Sequence, residues 1–262
     1  MAQVCEPIGV VGYGHFGRAL ASLLAAAGIP YRVYDPHVSP GESTAGRWAA
    51  SLEALVKPSR TIVFCVPVRA LEPALRAARP WLSRQHLVLD VGSVKVLPSG
   101  QMARELGADV AWCATHPLFG PASLSRSERP LRAVVCPGAM HPGACAEARA
   151  LYERLGCEVV EQSPEVHDQL MAMTHALAFF VAKGMIGVGA GEDAAFVPPS
   201  FRAMKQTVDT VRVDAGHLFS VIQNDNPFAA DARRKLMDEL RAIDAELRAA
   251  GEQDEGKDLE IH

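Results

Sequence analysis

The chain has 262 residues, enough to bury a substantial core in one large domain or two modest ones. With 49% hydrophobic and 21% charged residues and a net charge of -4, it has no excess of positive charge to hold nucleic acid. Cys5, Cys65, Cys113, Cys136, Cys145 and Cys157 lie far apart, with no CxxC or Cys/His cluster to chelate a metal, so they are expected to be free thiols in a reducing compartment. The start, Met-Ala-Gln-Val-Cys-Glu-Pro, has neither the basic residues nor the apolar stretch of a signal peptide, and Lys183 interrupts the apolar run Ala176 to Gly191. The expected location is the cytoplasm, with no membrane partner.

From Ile8 to about Ser163, short apolar runs alternate with segments of helical period, the pattern of βαβ units folded as a parallel sheet with helices on both faces. The predicted strands are Ile8 to Val11, Tyr31 to Tyr34, Thr61 to Val66, Leu87 to Val91, Val110 to Ala114, Ala133 to Cys136 and Glu158 to Val160. After Ser163 the period changes. Glu165 to Met185, Ser200 to Val211 and Ala229 to Ala250 are predicted helices, with no further strand. The fold class is therefore α/β, a Rossmann-type domain over residues 1–163 followed by an all-α domain over 164–262. On the last helix Leu236, Leu240, Ile243 and Leu247 share one face that must pack on something, and a partner subunit is one candidate. The polar tail from Gly251 to His262 is expected to be mobile.

The first strand runs into Gly12-Tyr13-Gly14-His15-Phe16-Gly17. Gly12 suits a tight turn, Gly14 a close approach of backbone to pyrophosphate, and Gly17 close packing of helix on strand, with the helix N-terminus facing the phosphates. A bare GxGxxG is weak evidence. Here a strand precedes it, a helix follows, and the second strand ends in Asp35, where a ribose-binding acid belongs. Such an acid accepts from ribose hydroxyls and repels a 2′-phosphate, which favours NAD over NADP. Ligands collect beyond the carboxyl ends of strands in such sheets, so Val66 and Pro67 after the third strand join the expected cofactor site.

Two further strand ends carry candidate chemistry. One is followed by Gly92-Ser93-Val94-Lys95, the other by Thr115-His116-Pro117-Leu118-Phe119-Gly120-Pro121. The prolines are expected to exclude regular structure around His116 and to fix a loop that holds its imidazole where a nicotinamide would lie. Histidine suits proton removal near neutral pH. Ser93 fits a helix N-cap or a place in the site, and both roles can hold together.

Asp90-Val91-Gly92-Ser93-Val94-Lys95, Thr115-His116-Pro117-Leu118-Phe119-Gly120-Pro121 and Glu165-Val166-His167-Asp168, in this order after the glycine fingerprint, resemble the prephenate and arogenate dehydrogenase family of tyrosine biosynthesis. The resemblance covers nearly the whole chain. It implies a dinucleotide-binding domain followed by a helical dimerisation domain, hence a homodimer, and NAD-dependent oxidative decarboxylation of a cyclohexadienyl acid, a small-molecule substrate. It further implies that His116 is the catalytic histidine that accepts the ring hydroxyl's proton, and that Ser93 orients histidine and substrate beside Thr115.

The chain departs from that pattern in its second half. Where many members carry a histidine twelve positions after the His-Asp pair it has Phe179, with His175 one helical turn earlier as a possible substitute on the same face. The arginine that prephenate-specific members use for the ring carboxylate falls on Thr210, with Arg202, Lys205 and Arg212 nearby. His175, Arg202 and Thr210 therefore join Ser93, Thr115 and His116 as expected substrate contacts. Prephenate, arogenate and an amino analogue such as 4-amino-4-deoxyprephenate all stay open as substrates. Arg126, Arg129 and Arg132 are a further source of a carboxylate contact, or simply a solvated loop. An imine or hydroxyacid oxidoreductase of the same architecture would keep the glycine turn and Asp35 but not need His116, and a non-catalytic dinucleotide sensor would have no need of the chemistry.

Overall fold

The computed structural model describes residues 6–39, 41, 46–138, 140–192, 194–213 and 217–258. They divide into two compact units, Met1–Asp168 and Gln169–His262. The division lies at Asp168 rather than Ser163, inside a helix, because the first turns of that helix are bonded to the sheet unit through His167 and Asp168.

The first unit is a seven-stranded sheet. Its strands are β1 (Ile8–Val11), β2 (Tyr31–Tyr34), β3 (Thr61–Phe64), β4 (Leu87–Asp90), β5 (Ala111–Pro117), β6 (Leu131–Cys136) and β7 (Cys157–Glu161), in the order β2-β1-β3-β4-β5-β6-β7. Helices α1 (His15–Ala26), α2 (Leu52–Val56), α3 (Val68–Ala78), α4 (Val96–Leu106), α5 (Pro121–Ser125) and α6 (Pro142–Arg154) make the connections. The central strands β1, β3 and β4 are almost wholly apolar, as strands covered on both faces must be, whereas β7 at the edge carries Glu158 and Glu161. Two separate buried clusters result, one around Val10, Leu24, Leu89 and Tyr152, the other around Val11, Leu75, Val88 and Met102.

Two expectations for the sheet are corrected here. It is not wholly parallel, because β5 and β6 pair antiparallel. The segment between them holds only the five-residue α5, too little for a parallel crossover, so the chain turns back along β5. His116, expected in a loop, is a strand residue opposite Val134. Pro117 is tolerated in β5 because Leu118 N–H donates to the Arg132 carbonyl, 2.8 Å, so the ring nitrogen one residue earlier points away from β6.

The cysteines also differ from expectation. Cys113 on β5 and Cys145 on α6, whose Cα atoms stand 5.5 Å apart, form a disulfide, because α6 packs on the sheet face that Cys113 joins. Cys65, Cys136 and Cys157 are free, and Cys5 lies outside the described residues.

Helix α7 (Pro164–Met171) leads into the second unit, which continues through a π-helical turn, Ala172–Ala176, into α8 (Leu177–Gly187) and then α9 (Pro199–Val213), α10 (His217–Asn224) and α11 (Ala229–Asp258). The run Pro164–Gly187 has mean hydropathy 1.5, the length and composition of a membrane span. In this fold Phe179 and Ala182 from it form a core with Val208, Val211 and Ile222. Helix α10 went unforeseen, and α11 runs on to Asp258 through part of the segment expected to be a mobile tail; residues 259–262 lie outside the described residues.

Candidate active site

The turn after β1 is shaped by what its glycines leave out. Gly12 has φ +95, and a Cβ there would lie 2.5 Å from the Cys65 carbonyl oxygen. A Cβ on Gly17 would lie 2.1 Å from the Gly12 carbonyl oxygen, whereas around Gly14 there is open space. Gly14 stands at the N-cap of α1 and offers no side chain to its first turn, which leaves backbone N–H groups for an external anion. His15 opens the helix in solvent, and Phe16 lies 6.0 Å from the Phe119 ring. Val66 borders Gly12, and Pro67 caps α3.

At the end of β2, Asp35 accepts the N–H of Tyr13 at 2.7 Å and of His37 at 2.8 Å. The carboxylate is thereby fixed beside the glycine turn. Open space over Gly14, uncapped N–H groups and an anchored acid fit a dinucleotide: pyrophosphate on α1, ribose on Asp35.

The ends of β4 and β5 are joined by a buried ion pair. Lys95 Nζ, fully buried, donates to Asp90 Oδ2 and to the Thr115 carbonyl, each at 2.5 Å. Asp90 also accepts the N–H groups of Gly92 and Thr115 at 2.8 and 3.0 Å. Thr115, expected against substrate, faces inward instead. Side chains alternate along a strand, so with His116 on one face its neighbour points to the other. The Thr115 hydroxyl is taken up by the Asp90 carbonyl and by Tyr152 Oη.

His116 is 6% exposed, and its Nδ1 lies 2.9 Å from Nε2 of His167. His167 Nδ1 in turn lies 2.8 Å from Asp168 Oδ1, and both of these residues are fully buried. Asp168 also accepts the backbone N–H of Lys95 and Val96 at 2.7 and 2.9 Å, so a carboxylate from the far end of the unit caps α4. That corrects the N-cap reading of Ser93. Helix α4 starts at Val96 with Lys95 at the N-cap, and Ser93 sits two residues outside, half-buried in the β4–α4 turn, without a side-chain hydrogen bond among the described residues. Sequence reasoning quoted His167 and Asp168 only as part of a motif and gave them no role. The available signal was an adjacent His-Asp pair just after the last strand.

Burial pushes the Cys136 thiol up to about 12 and Cys157 up to about 11, so neither is a thiolate nucleophile near neutral pH. Arg126 and Arg132 are exposed and pair with Glu128 and Glu158; Arg132, read as part of a loop, lies in β6 opposite Glu158 of β7. In the second unit, His175 meets Phe179 edge-on at 4.6 Å, Arg202 is exposed on α9, and the Thr210 hydroxyl donates to the Gln206 carbonyl at 2.9 Å. Thr210 therefore supplies no cation where an arginine was expected.

A predominantly parallel sheet that ends in an uncapped helix N-terminus and an anchored acid belongs to the Rossmann-type nucleotide-binding proteins, here with a helical second unit. Residues 46–161 match the family model described as prephenate dehydrogenase, nucleotide-binding domain, and residues 5–75 match that of the D-isomer specific 2-hydroxyacid dehydrogenase, NAD binding domain. The chain is 26% identical over 254 residues to arogenate dehydrogenase 2, chloroplastic, of Arabidopsis thaliana, covering 92% of this chain and 69% of that protein. It is 22% identical over 195 residues to a probable arogenate/prephenate dehydrogenase of Methanocaldococcus jannaschii, a match that spans 71% of this chain and only 43% of the relative. Its fold superposes with a TM-score of 0.74, at 17% identity and over 100% of both chains, on the crystal structure of prephenate dehydrogenase from A. aeolicus in complex with hydroxyphenyl propionate and NAD+. Residues 46–161 are thus similar to the nucleotide-binding domain of prephenate dehydrogenases, and the chain is similar to arogenate dehydrogenases over most of its length.

Proposed function

We propose that the protein catalyses NAD-dependent oxidative decarboxylation of a cyclohexadienyl acid, prephenate or arogenate. The observation that carries this reading is His116, buried at the end of β5 with its Nδ1 engaged by His167 and backed by Asp168. Bound NAD supplies the hydride acceptor. Gly12, Gly14, His15, Phe16, Gly17, Asp35, Val66 and Pro67 would hold it.

His116 takes the proton from the ring hydroxyl as the carbon bearing it gives up hydride, and the C–O bond gains carbonyl character. The ring carboxylate leaves as carbon dioxide. The electron pair of the broken C–C bond completes the aromatic ring, and the oxygen, now a phenolate, takes its proton back. Aromatisation drives the step, so the protein's task is positioning plus one base, the latter worth roughly a hundred- to ten-thousand-fold. Ser93 is assigned to orient substrate and histidine. His175 and Arg202 are assigned to substrate, and Thr210, with its hydroxyl turned to the helix backbone, favours an acid that does not need an arginine at that position. The protein is read as a cytoplasmic homodimer.

The test is NADH formation with prephenate and arogenate side by side, each with NAD and NADP, with His116→Asn as control. Turnover of either acid with NAD, reduced by at least about a hundredfold in the variant, is the expected result. Cofactor binding without turnover of either acid would transfer the reading to the amino analogue or to a sensor. Turnover undiminished in His116→Asn would rule out this base.

A further inference from the structure

Behind His116 stands a second imidazole that the chemistry above does not use. Both rings are buried, with centroids 5.1 Å apart and planes at 73°, and a nitrogen of each lies on the line between them. The direction of the protons along His116, His167 and Asp168 follows from the far end. Asp168 receives the backbone N–H of Lys95 and of Val96, and a backbone N–H can only donate. Its carboxylate is therefore an acceptor, and His167 Nδ1, 2.8 Å from Oδ1, is the donor to it. A neutral imidazole carries one N–H. With that hydrogen on Nδ1, His167 Nε2 is an acceptor, and the group it accepts from is Nδ1–H of His116 at 2.9 Å. The one hydrogen of neutral His116 is then on Nδ1, and Nε2 holds a lone pair.

We propose that His167 and Asp168 are positioning residues that lock His116 in the Nδ1–H tautomer and present Nε2 as the base. This rests on the reading of His116 as the proton acceptor. A histidine in water prefers the opposite tautomer, in which Nε2 is already protonated and cannot accept. Once Nε2 has taken the substrate's proton, the positive ring donates from Nδ1 to His167, whose other side faces the carboxylate, so the new charge is stabilised across one intervening ring. The carboxylate cannot drift, because α4 holds it through two N–H groups. The arrangement also explains why a buried acid serves the base through an intermediary: its oxygens are already committed to the start of α4.

The closing experiment reads the tautomer directly. Long-range proton–nitrogen correlation spectra are recorded on the full-length protein labelled with 15N-histidine, at neutral pH without cofactor or substrate, with His116 assigned by its loss in His116→Asn. The expected pattern for the wild type is Nδ1 protonated and Nε2 unprotonated. His167→Phe keeps a ring and removes the acceptor, so His116 should move towards the Nε2–H pattern. His167→Gln places an amide oxygen near the former Nε2 and should keep Nδ1–H. In turnover, His167→Phe should lower kcat by about a hundredfold with KM for the acid changed less than about threefold, and His167→Gln should recover at least about tenfold of that loss. An Nε2–H pattern in the wild type, or a His167→Phe variant that leaves both pattern and kcat unchanged, overturns the proposal. Should the Phe variant not fold, the wild-type and Gln spectra still decide it. The spectra need no reaction, so an Nδ1–H pattern without turnover supports the relay while removing the proposed activity, and turnover with an Nε2–H pattern does the reverse.

Discussion

Asp35 meets two demands with one carboxylate. Its oxygens accept the Tyr13 and His37 N–H groups, which ties the end of β2 to the glycine turn. A carboxylate offers about four lone-pair sites, so two remain for the hydroxyls of a ribose, while its charge opposes a 2′-phosphate. Serine retains one acceptor and no charge. Asp35→Ser should therefore lower the ratio of kcat/KM for NAD over NADP by about 10- to 100-fold, the loss expected for a charge-assisted hydrogen bond and the removal of repulsion. The ratio is measured with whichever acid turns over. A ratio unchanged within twofold, where about tenfold or more is expected, would free Asp35 of any part in cofactor choice.

Helix α4 shows how an element can depend on a residue far away in sequence. Its own N-cap, Lys95, offers no side chain to the first turn, because the ammonium is buried against Asp90, and the cap comes from Asp168. Asp168→Ala would leave two N–H groups and the His167 N–H without their acceptor, at a cost of about 2–4 kcal/mol. The expected result is a fall in melting temperature of roughly 5–10 °C together with faster hydrogen exchange at the Lys95 and Val96 amides. Unchanged exchange at those two amides would place the cap elsewhere. The same helix marks the limit of what sequence alone discloses. Strands β1, an unbroken apolar run, and β2, whose Tyr31, Val33 and Tyr34 enclose the single charge of Arg32, were legible to the residue, as were the glycine turn and Asp35 that follow them. Local pattern could not reveal Asp168 as the cap of α4, since Ser93 is the better local candidate and the true partner lies 73 positions away. Nor could it place His116 in a strand. Pro117 argues for a loop until the pairing with β6 shows that its missing N–H is not needed. The turn from β5 to β6, set by pairing between strands rather than by period, escaped for the same reason, and α10 escaped because eight residues are too few to establish a helical period.

At the scale of the whole molecule the unanswered demand is made by α11. Leu240, Ile243 and Leu247 follow one another at three and four residues, on a single face, and are 47%, 44% and 68% exposed. Val188 and Phe196, at 81% and 89%, add more apolar surface in the same unit. Single exposed leucines are ordinary, but a periodic stripe on a long helix otherwise rich in charge is the seam that a second helix covers. The proposed homodimer assigns that seam to a second copy of the chain. A carboxylate in such a seam would have to be desolvated without a partner, whereas on the outer face it would stay in water. Ile243→Asp should thus convert the dimer to monomer in sedimentation velocity at micromolar concentration, while Glu246→Gln, outside the Leu240–Ile243–Leu247 row, should leave the mass unchanged. A wild-type protein that sediments as a monomer, or an Ile243→Asp variant that stays dimeric, would show that α11 does not carry the association. The stripe would then need another cover, and the homodimer would lose its main support.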